Sequence, residues 1–288
     1  MGTMGDKPIP YWVVVTVKNG ETTIKQSIES ILAQTISPTL ICIVDDGSVD
    51  NTPEILSKIR ENHKLVHVIT LPDKGYDSRR IVHNWNVACD YIKNRGDDFE
   101  YYLTGTDDVV FQINYVERLI EKFNEDPNLV VVSGSRGLEA SDYLLLPEGA
   151  GRLVRMSYFK KIGFHYPPFY GYESWILYKA LQLGYKVLKV NDLKYEHLRK
   201  FGVGHKFIEY GPAMRCLGYH PLFVLARVLR NLVVTKTGIS KSASIRMFFD
   251  FLFESKWRDD PYFHYFEPEL REFVRNLQKN RLSVKLGF

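Results

Sequence analysis

Cysteines, long apolar runs and an excess of charge of one sign are all scarce in this sequence. The three cysteines, Cys42, Cys89 and Cys216, lie far apart and form no CxxC pair, which argues against a disulfide framework or a cysteine zinc site. No run of 18 or more uncharged apolar residues occurs, so no transmembrane helix is predicted. The segment Met1–Pro10 is polar and lacks the apolar region of a signal peptide. Together these absences predict a cytoplasmic protein.

The net charge of +4 is too small to indicate nucleic-acid binding, but the charge is unevenly distributed. Residues 205–288 contain 14 Lys and Arg against 8 Asp and Glu, whereas the rest of the chain contains 24 against 26. A basic C-terminal region can face an anionic lipid surface or an anionic acceptor. The charge distribution therefore leaves two partners open for this region, a membrane surface in peripheral contact and an anionic acceptor.

Short apolar, β-branched segments alternate with amphipathic segments over the first 200 or so residues. Strands are predicted over Trp12–Val17, Leu40–Val44, Leu65–Thr70, Glu100–Leu103 and Leu129–Ser133. Helices are predicted over Thr23–Thr35, Thr52–Asn62, Ser78–Lys93 and Asn114–Glu125. This alternation predicts an α/β fold with a Rossmann-like, mostly parallel sheet flanked by helices. Ligands bind such sheets beyond the carboxyl ends of the strands.

The alternation of strands and helices ends at about residue 204. Beyond it, helical structure is predicted over Lys206–Val234, Ser242–Ser255 and Glu267–Asn280. We predict one α/β domain over residues 8–204 and a helical, basic C-terminal extension over residues 205–288. The segment Pro221–Val234 is apolar almost all round. It is either a helix packed on the catalytic domain or in a homodimer contact, or a helix lying in a membrane interface.

A first polar cluster, Asp45-Asp46-Gly47-Ser48, follows the second predicted strand. A carboxylate at this position can accept hydrogen bonds from a nucleobase N–H or from ribose hydroxyls. Alternatively, the cluster is only a turn between strand and helix, because Asp, Gly and Ser are turn formers.

A second cluster, Thr106-Asp107-Asp108, follows the fourth predicted strand. Adjacent carboxylates repel one another, and a divalent cation between them and a diphosphate relieves that repulsion. The alternative is a solvated acidic turn. His197 follows a later strand and either completes a metal shell or is structural.

A third cluster, Gly171-Tyr172-Glu173, opens a predicted helix. Glu173 can act there as a general base on an acceptor hydroxyl, or it can simply complement the dipole at the helix start. Arg79 and Arg80 are candidates for a bidentate contact with a donor phosphate, or they are exposed arginines.

The order of these motifs resembles that of the family 2 glycosyltransferases of GT-A fold. The resemblance covers roughly residues 10–200 and is specific as an ordered set, although each motif alone is unspecific. The segments that carry it are Val13–Asn19, Ser30–Thr35, Ile43–Asp50, Thr106–Asp108, Gly149–Gly163 and Gly171–Val187. The family's Ala-Arg-Asn segment is replaced here by Ser78-Arg79-Arg80.

The resemblance implies an inverting enzyme that moves a sugar from a nucleotide-sugar donor to a glycan or lipid-linked acceptor. It implies that Thr16, Asn19 and Asp46 bind the nucleotide. Arg79 would contact the diphosphate, and Asp107 would contact the sugar or ribose.

The resemblance also implies Mn²⁺ or Mg²⁺ as a cofactor. Asp108, together with Asp107 and His197, would hold the metal. Glu173 would be the catalytic base.

Three other functions are compatible with an α/β fold. A sugar nucleotidyltransferase needs a glycine-rich phosphate loop near the N-terminus, and Val15–Gly20 contains a single glycine. A Rossmann oxidoreductase needs GxGxxG after the first strand, which is missing. A catalytically silent nucleotide-sugar-binding module would not need the acidic residues Asp46, Asp107, Asp108 and Glu173.

Overall fold

The first strand, β1 (Tyr11–Val17), is buried on both faces in the computed structural model. Trp12 and Val14 pack into one hydrophobic cluster, whereas Tyr11, Val13 and Val15 pack into another on the opposite face. A strand of nearly continuous apolar residues fits only where helices cover both sides of a sheet. The structure describes residues 9–136, 146–199, 207, 209–234 and 239–286.

Eight strands form one sheet in the order β3-β2-β1-β4-β7-β6-β8-β5. The remaining strands are β2 (Leu40–Asp45), β3 (Val66–Thr70), β4 (Tyr101–Thr104), β5 (Val109–Phe111), β6 (Leu129–Ser135), β7 (Arg152–Arg155) and β8 (Lys186–His197). The pairs of β1 with β2 and β4, of β2 with β3 and of β6 with β8 are parallel, and the other three pairs are antiparallel. The predicted α/β class and mostly parallel sheet are thus confirmed. The short antiparallel strands β5 and β7 were not predicted.

Ten helices occur in the part of the chain that the structure describes. They are α1 (Ile24–Leu32), α2 (Thr52–Asn62), α3 (Ile81–Arg95), α4 (Tyr115–Glu125), α5 (Met156–Lys161), α6 (Tyr172–Gln182), α7 (Tyr210–Cys216), α8 (Pro221–Val233), α9 (Lys241–Leu252) and α10 (Pro268–Leu286). None of the described helices is both long and apolar enough to cross a bilayer.

The segment Lys206–Val234, predicted to be helical, is not one continuous helix. The segment contains two helices, α7 and α8. Gly218 follows α7 with φ +75°, a conformation that ends helices and favours glycine. Pro221 then starts α8, since proline suits the first turn of a helix.

The C-terminal helices share the core of the α/β part. Phe223 of α8, Met247 of α9 and Leu270 of α10 belong to the same hydrophobic cluster as Trp12 and Ile176. One face of the extension is therefore packed on the sheet and its helices. The boundary predicted at residues 204 and 205 lies outside the described residues, and the division into two domains stays a prediction.

Gly151 and Gly96 offer a matched test of packing beside β7. Both have positive φ, +66° and +71°, so alanine costs each about 1 kcal/mol of backbone strain. A Cβ at Gly151 would overlap the Tyr115 hydroxyl and lie 2.8 Å from Phe111 Cε1, whereas a Cβ at Gly96 meets nothing within 4 Å. We expect Gly151→Ala to lower the free energy of unfolding by about 1–3 kcal/mol more than Gly96→Ala, measured by urea denaturation. Equal losses would show that the contact is not tight.

Candidate active site

Parallel pairing brings the polar loops after β1, β2 and β4 to one edge of the sheet. Val17 pairs with Asp45, and Val14 pairs with Thr104. The Gly105 N–H donates to the Val14 carbonyl at 2.7 Å, and the Asp46 N–H donates to the Val17 carbonyl at 2.9 Å. The two acidic clusters of the sequence consequently start side by side.

The side chain of Asp45, the last residue of β2, holds the loop that follows this strand. Asp45 is fully buried, and its Oδ1 accepts from the Ser48 N–H at 2.9 Å and from the Ser48 hydroxyl at 2.6 Å. Gly47 has φ +72°, and a Cβ there would overlap the backbone of Asp73. This packing explains the glycine of the Asp-Asp-Gly-Ser turn.

Asn19 binds the same loop. Its N–H donates to Ser48 Oγ at 2.8 Å, and its Oδ1 accepts from the Val49 N–H at 2.9 Å. Asn19 has φ +52°, a conformation that Asn adopts more readily than most residues. The structure therefore gives Asn19 contacts that shape the loop, and its role in nucleotide binding stays a prediction.

Asp46 faces a cavity and is paired with Arg80. The Arg80 guanidinium donates to Asp46 Oδ2 from Nη2 at 2.5 Å and from Nε at 3.1 Å. Arg80 also donates to the carbonyls of Lys74 and Gly75, which ties the loop after β3 to this carboxylate. The first cavity is lined by Thr16, Val17, Lys18, Asp46, Tyr76, Asp77, Ser78, Ile81, Asn84, Asp107 and Arg199.

The acidic pair after β4 meets the end of β8. Val109 pairs with His197 across the antiparallel strands β5 and β8, which brings His197 Nδ1 to 3.6 Å from Asp108 Oδ2. The Arg199 guanidinium forms a short ion pair with Asp107, and its Nε lies 3.7 Å from Asp108 Oδ2. Arg199 thus places a positive charge against both carboxylates.

The pKa values of the adjacent carboxyls of Asp107 and Asp108 are shifted in opposite directions. Burial raises the pKa of Asp107 to about 6; the neighbouring Asp108 adds to this and Arg199 opposes it. Burial also acts on Asp108, but contacts with His197, Arg199 and Thr106 outweigh it and lower its pKa. Asp108 is therefore ionised at neutral pH, as a metal ligand must be.

Glu173 lies in a second cavity at the start of α6. Gly171, with φ +93°, precedes the helix, and a Cβ on Gly149 would lie 3.0 Å from Glu173 Oε2. Arg152, which is 1% exposed, donates to the Glu173 carbonyl at 3.0 Å and to the Glu148 carbonyl at 3.1 Å. The buried guanidinium therefore fixes the first turn of α6 against the loop before β7.

The second cavity, of about 220 Å³, is larger than the first, of about 130 Å³. It is lined mainly by aromatic and acidic side chains: Ser78, Arg79, Ile81, Val82, Phe169, Tyr170, Gly171, Tyr172, Glu173, Ser174, Glu209, Tyr210, Ala213 and Tyr262. Ser78 and Ile81 line both cavities. The two cavities therefore adjoin, with Asp46 and Asp107 in one and Glu173 in the other.

Arg79 lies in the second cavity, not in the first. Its Nε donates to Asp77 Oδ1 at 2.8 Å and its Nη1 donates to Asp260 Oδ2 at 3.0 Å. The guanidinium also lies 5.1 Å from the centre of the Tyr262 ring. These contacts connect Arg79 to the C-terminal part of the chain.

Three residues that line the first cavity were not predicted from the sequence to belong to the site. Arg199 lies two residues after His197, and that proximity was the one available signal. Asn84 is 3% exposed, and its amide oxygen has no hydrogen-bond partner among the described residues. Tyr76 lines the same cavity and is an aromatic candidate for contact with a base. Asn84 and Tyr76 carry no sequence motif.

Asp108 and His197 place a carboxylate and an imidazole 3.6 Å apart, and both groups are of a kind that can bind a divalent cation. No group of three or more His, Cys, Asp and Glu side chains in the described ranges is arranged to hold a metal by itself. Mg²⁺ and similar ions are commonly bound by one or two carboxylates together with substrate phosphates and water. The position of the Arg199 guanidinium shows that a positive charge is favoured beside this pair. The residues therefore fit a metal that is shared with a phosphorylated ligand.

A protein-family model described as Glycosyl transferase family 2 matches residues 12–166, more than half of the chain. The poly-beta-1,6-N-acetyl-D-glucosamine synthase of Staphylococcus aureus (strain COL) is 26% identical over 145 residues, which are 50% of this chain and 32% of that protein. The chondroitin synthase of Pasteurella multocida (strain Pm70) is 30% identical over 110 residues, 38% of this chain and 10% of that protein. The chain thus spans a third or less of the length of these relatives.

Solved structures show the same fold at low sequence identity. A mannosyltransferase from Pyrobaculum calidifontis, in complex with GDP-Man and Mn²⁺, has a TM-score of 0.56 at 16% identity and covers 96% of this chain and 86% of its own. Residues 1–349 of S. aureus TarS, in complex with UDP, have a TM-score of 0.53 at 15% identity and cover 87% and 72%.

Proposed function

The chain belongs to glycosyl transferase family 2 and is a glycosyltransferase of GT-A fold, and we propose that it transfers a sugar from a nucleoside-diphosphate donor to an acceptor hydroxyl with inversion. The observation that carries this proposal is the convergence of two acidic loops and Glu173 around two adjoining cavities. The shared walls, Ser78 and Ile81, separate a site suited to a donor from a site suited to an acceptor.

The first cavity suits a nucleotide. In this proposal Thr16 and Asp46 line the base and ribose. Asp46 Oδ2 is held by Arg80, so its Oδ1 is the oxygen that we assign to an N–H of the base. The buried amide oxygen of Asn84 is a second acceptor, and a base N–H would satisfy it. The neighbouring structures were solved with UDP and with GDP-Man, and both bases carry such N–H donors.

The diphosphate would lie beside Arg199, Asp107 and Asp108. We assign the phosphate contact to Arg199 because it lines the first cavity, whereas Arg79, the residue implied by the family resemblance, lines the other cavity. A planar guanidinium can bind phosphate oxygens in bidentate fashion. A Mn²⁺ or Mg²⁺ ion held by Asp108 and His197, with Asp107 beside them, would offset negative charge on the leaving diphosphate.

Glu173 is the general base in the proposed reaction. Its carboxylate removes the proton from the acceptor hydroxyl as that oxygen attacks the anomeric carbon. The bond from the sugar to the diphosphate breaks on the opposite side, and the single displacement inverts the configuration. Arg152 keeps the start of α6 in place, since its guanidinium holds the Glu173 carbonyl.

The acceptor cavity favours a neutral ring compound. Tyr170, Tyr172 and Tyr210 contribute aromatic surface. Glu173 and Glu209 would repel an anion, and the one cation of the lining, Arg79, is already paired with two aspartates. Aromatic side chains with a few well-placed polar groups are typical of small-ligand sites. A glycan hydroxyl is therefore the first candidate acceptor. A lipid-linked acceptor presented at a membrane is the second, which the basic C-terminal extension favours.

Titration with UDP-, GDP- and dTDP-sugars, with and without Mn²⁺, tests the donor proposal. The nucleoside-diphosphate sugars of one nucleotide class should bind. The protein should then hydrolyse that donor slowly or transfer its sugar. Binding without any turnover would instead indicate a silent binding module, and release of pyrophosphate from a nucleoside triphosphate would indicate a nucleotidyltransferase.

Glu173→Gln should reduce the rate of sugar transfer by about 10²- to 10⁴-fold, because a general base contributes on that order. Nucleotide affinity should stay near that of the parent protein, because Glu173 lies in the adjoining cavity. Glu209→Gln is the matched control: this carboxylate lines the same cavity and accepts from the Ser78 hydroxyl. A Glu173→Gln protein with full activity, or a larger loss in the control, would remove Glu173 from the mechanism.

Asp108→Asn should abolish the effect of Mn²⁺ on nucleotide binding. We expect Mn²⁺ to tighten the binding of a nucleoside diphosphate to the parent protein by about tenfold or more, measured by isothermal titration calorimetry. The variant should show the metal-free affinity under both conditions. Asp192→Asn is the charge-matched control, since Asp192 is exposed and paired with Arg118. An unchanged Mn²⁺ effect in Asp108→Asn would contradict the assigned ligand.

A further inference from the structure

Two neighbouring helices of the C-terminal extension, α8 and α9, carry exposed apolar side chains in helical spacing. We call these eight side chains, which are between 37% and 80% exposed, the outer face: Leu222, Leu225, Leu229, Val233, Ile245, Phe249, Leu252 and Phe253. The rings of Phe249 and Phe253 stack at 6.0 Å between centroids. Apolar residues scattered singly on a surface need no explanation, but two adjacent helical stripes do.

The exposed stripe of each helix lies opposite side chains that are buried in the core. Phe223 and Val228 of α8 and Met247 and Phe251 of α9 are buried in one hydrophobic cluster, and the two helices pack against each other. The side chains opposite these buried ones therefore point away from that common core. The outer face consequently consists of two exposed apolar rows on helices that contact each other.

The surroundings of the outer face are basic. Residues 221–234 and 239–260 contain six Lys and Arg against four Asp and Glu. Asp250 is 4% exposed and is bound by Arg246 and Lys256, and Glu254 is bound by Arg215. Asp260 is likewise bound by Arg79. Three of the four acids are thus paired with cations, so the stretch keeps a net positive charge beside the leucine and phenylalanine side chains.

We propose that the outer face docks on an anionic lipid surface. An amphipathic helix with Leu and Phe on one side and Lys or Arg around it lies in a membrane interface. The burial of its apolar side chains and the attraction of its basic side chains to anionic lipid hold it there. A second copy of the chain fits less well, because a two-fold contact would set the same basic side chains against each other. Lipid docking requires no sugar transfer, so this inference goes beyond the proposed function.

The outer face is connected to the acceptor cavity through packed helices. Helix α7 packs on α9, and its residues Tyr210 and Ala213 line the cavity that contains Glu173. The outer face and the acceptor cavity are therefore joined through a single helix.

Sedimentation of the full chain with vesicles tests the proposal. The parent protein should bind vesicles of phosphatidylcholine and phosphatidylglycerol, and bind pure phosphatidylcholine vesicles much less. The double variant Phe249→Ser/Phe253→Ser should weaken binding by about tenfold or more, because two large apolar side chains are lost from the contact. Lys241→Gln/Arg258→Gln should weaken only the binding that depends on anionic lipid and is screened by salt.

Ile113→Ser is the matched control, since Ile113 is 63% exposed outside the outer face; its vesicle binding should equal that of the parent. Thermal unfolding and nucleotide binding show that each variant is folded and that the donor site is intact. Equal binding by the parent and the phenylalanine variant, or no binding of the parent to anionic vesicles, would overturn the proposal. A lipid-free dimer that the same variant dissociates would overturn it in favour of a second copy.

Discussion

The parallel pairing of β1 with β2 and β4 is the constraint on which the active site depends. Parallel strands end at the same edge, so the loop that contains Asp46 and the loop that contains Asp107 and Asp108 must start side by side. Strands of this kind are stable only when both faces are covered, and β1 meets this condition with one apolar cluster on each side. The same burial that stabilises the sheet thus holds the acidic loops at the cavity.

Carboxylates gathered in this way repel one another, and cationic side chains compensate for that repulsion. Arg80 is paired with Asp46, while Arg199 contacts both Asp107 and Asp108. A donor diphosphate and a divalent cation bring charges of both signs to this region, so the proposed reaction requires these ion pairs to be exchanged. Glu173 lies apart from them, in the adjoining cavity, where its surroundings are largely aromatic.

The order of the buried strands and the acidic turns could be predicted from the sequence because each buried strand is an apolar run that ends in a polar turn. Contacts between distant segments could not be predicted. Nothing in the sequence pairs Arg199 with Asp107. The amide oxygen of Asn84 has no hydrogen-bond partner among the described residues, and this follows only from the burial of Asn84 on α3. The position of Arg79 depends on Asp260, 181 residues further along the chain, which no local pattern indicates. Gly218 and Pro221 together predict a break between α7 and α8, but the apolar residues of α8 drew attention away from this signal.

A crystal structure of the protein with a nucleoside-diphosphate sugar and Mn²⁺ tests the central claim most directly. The account predicts the base beside Asp46, the diphosphate between Arg199 and the pair of Asp108 and His197, and the sugar directed toward Glu173. A nucleotide bound on another surface, or a sugar held away from the cavity that contains Glu173, would contradict it.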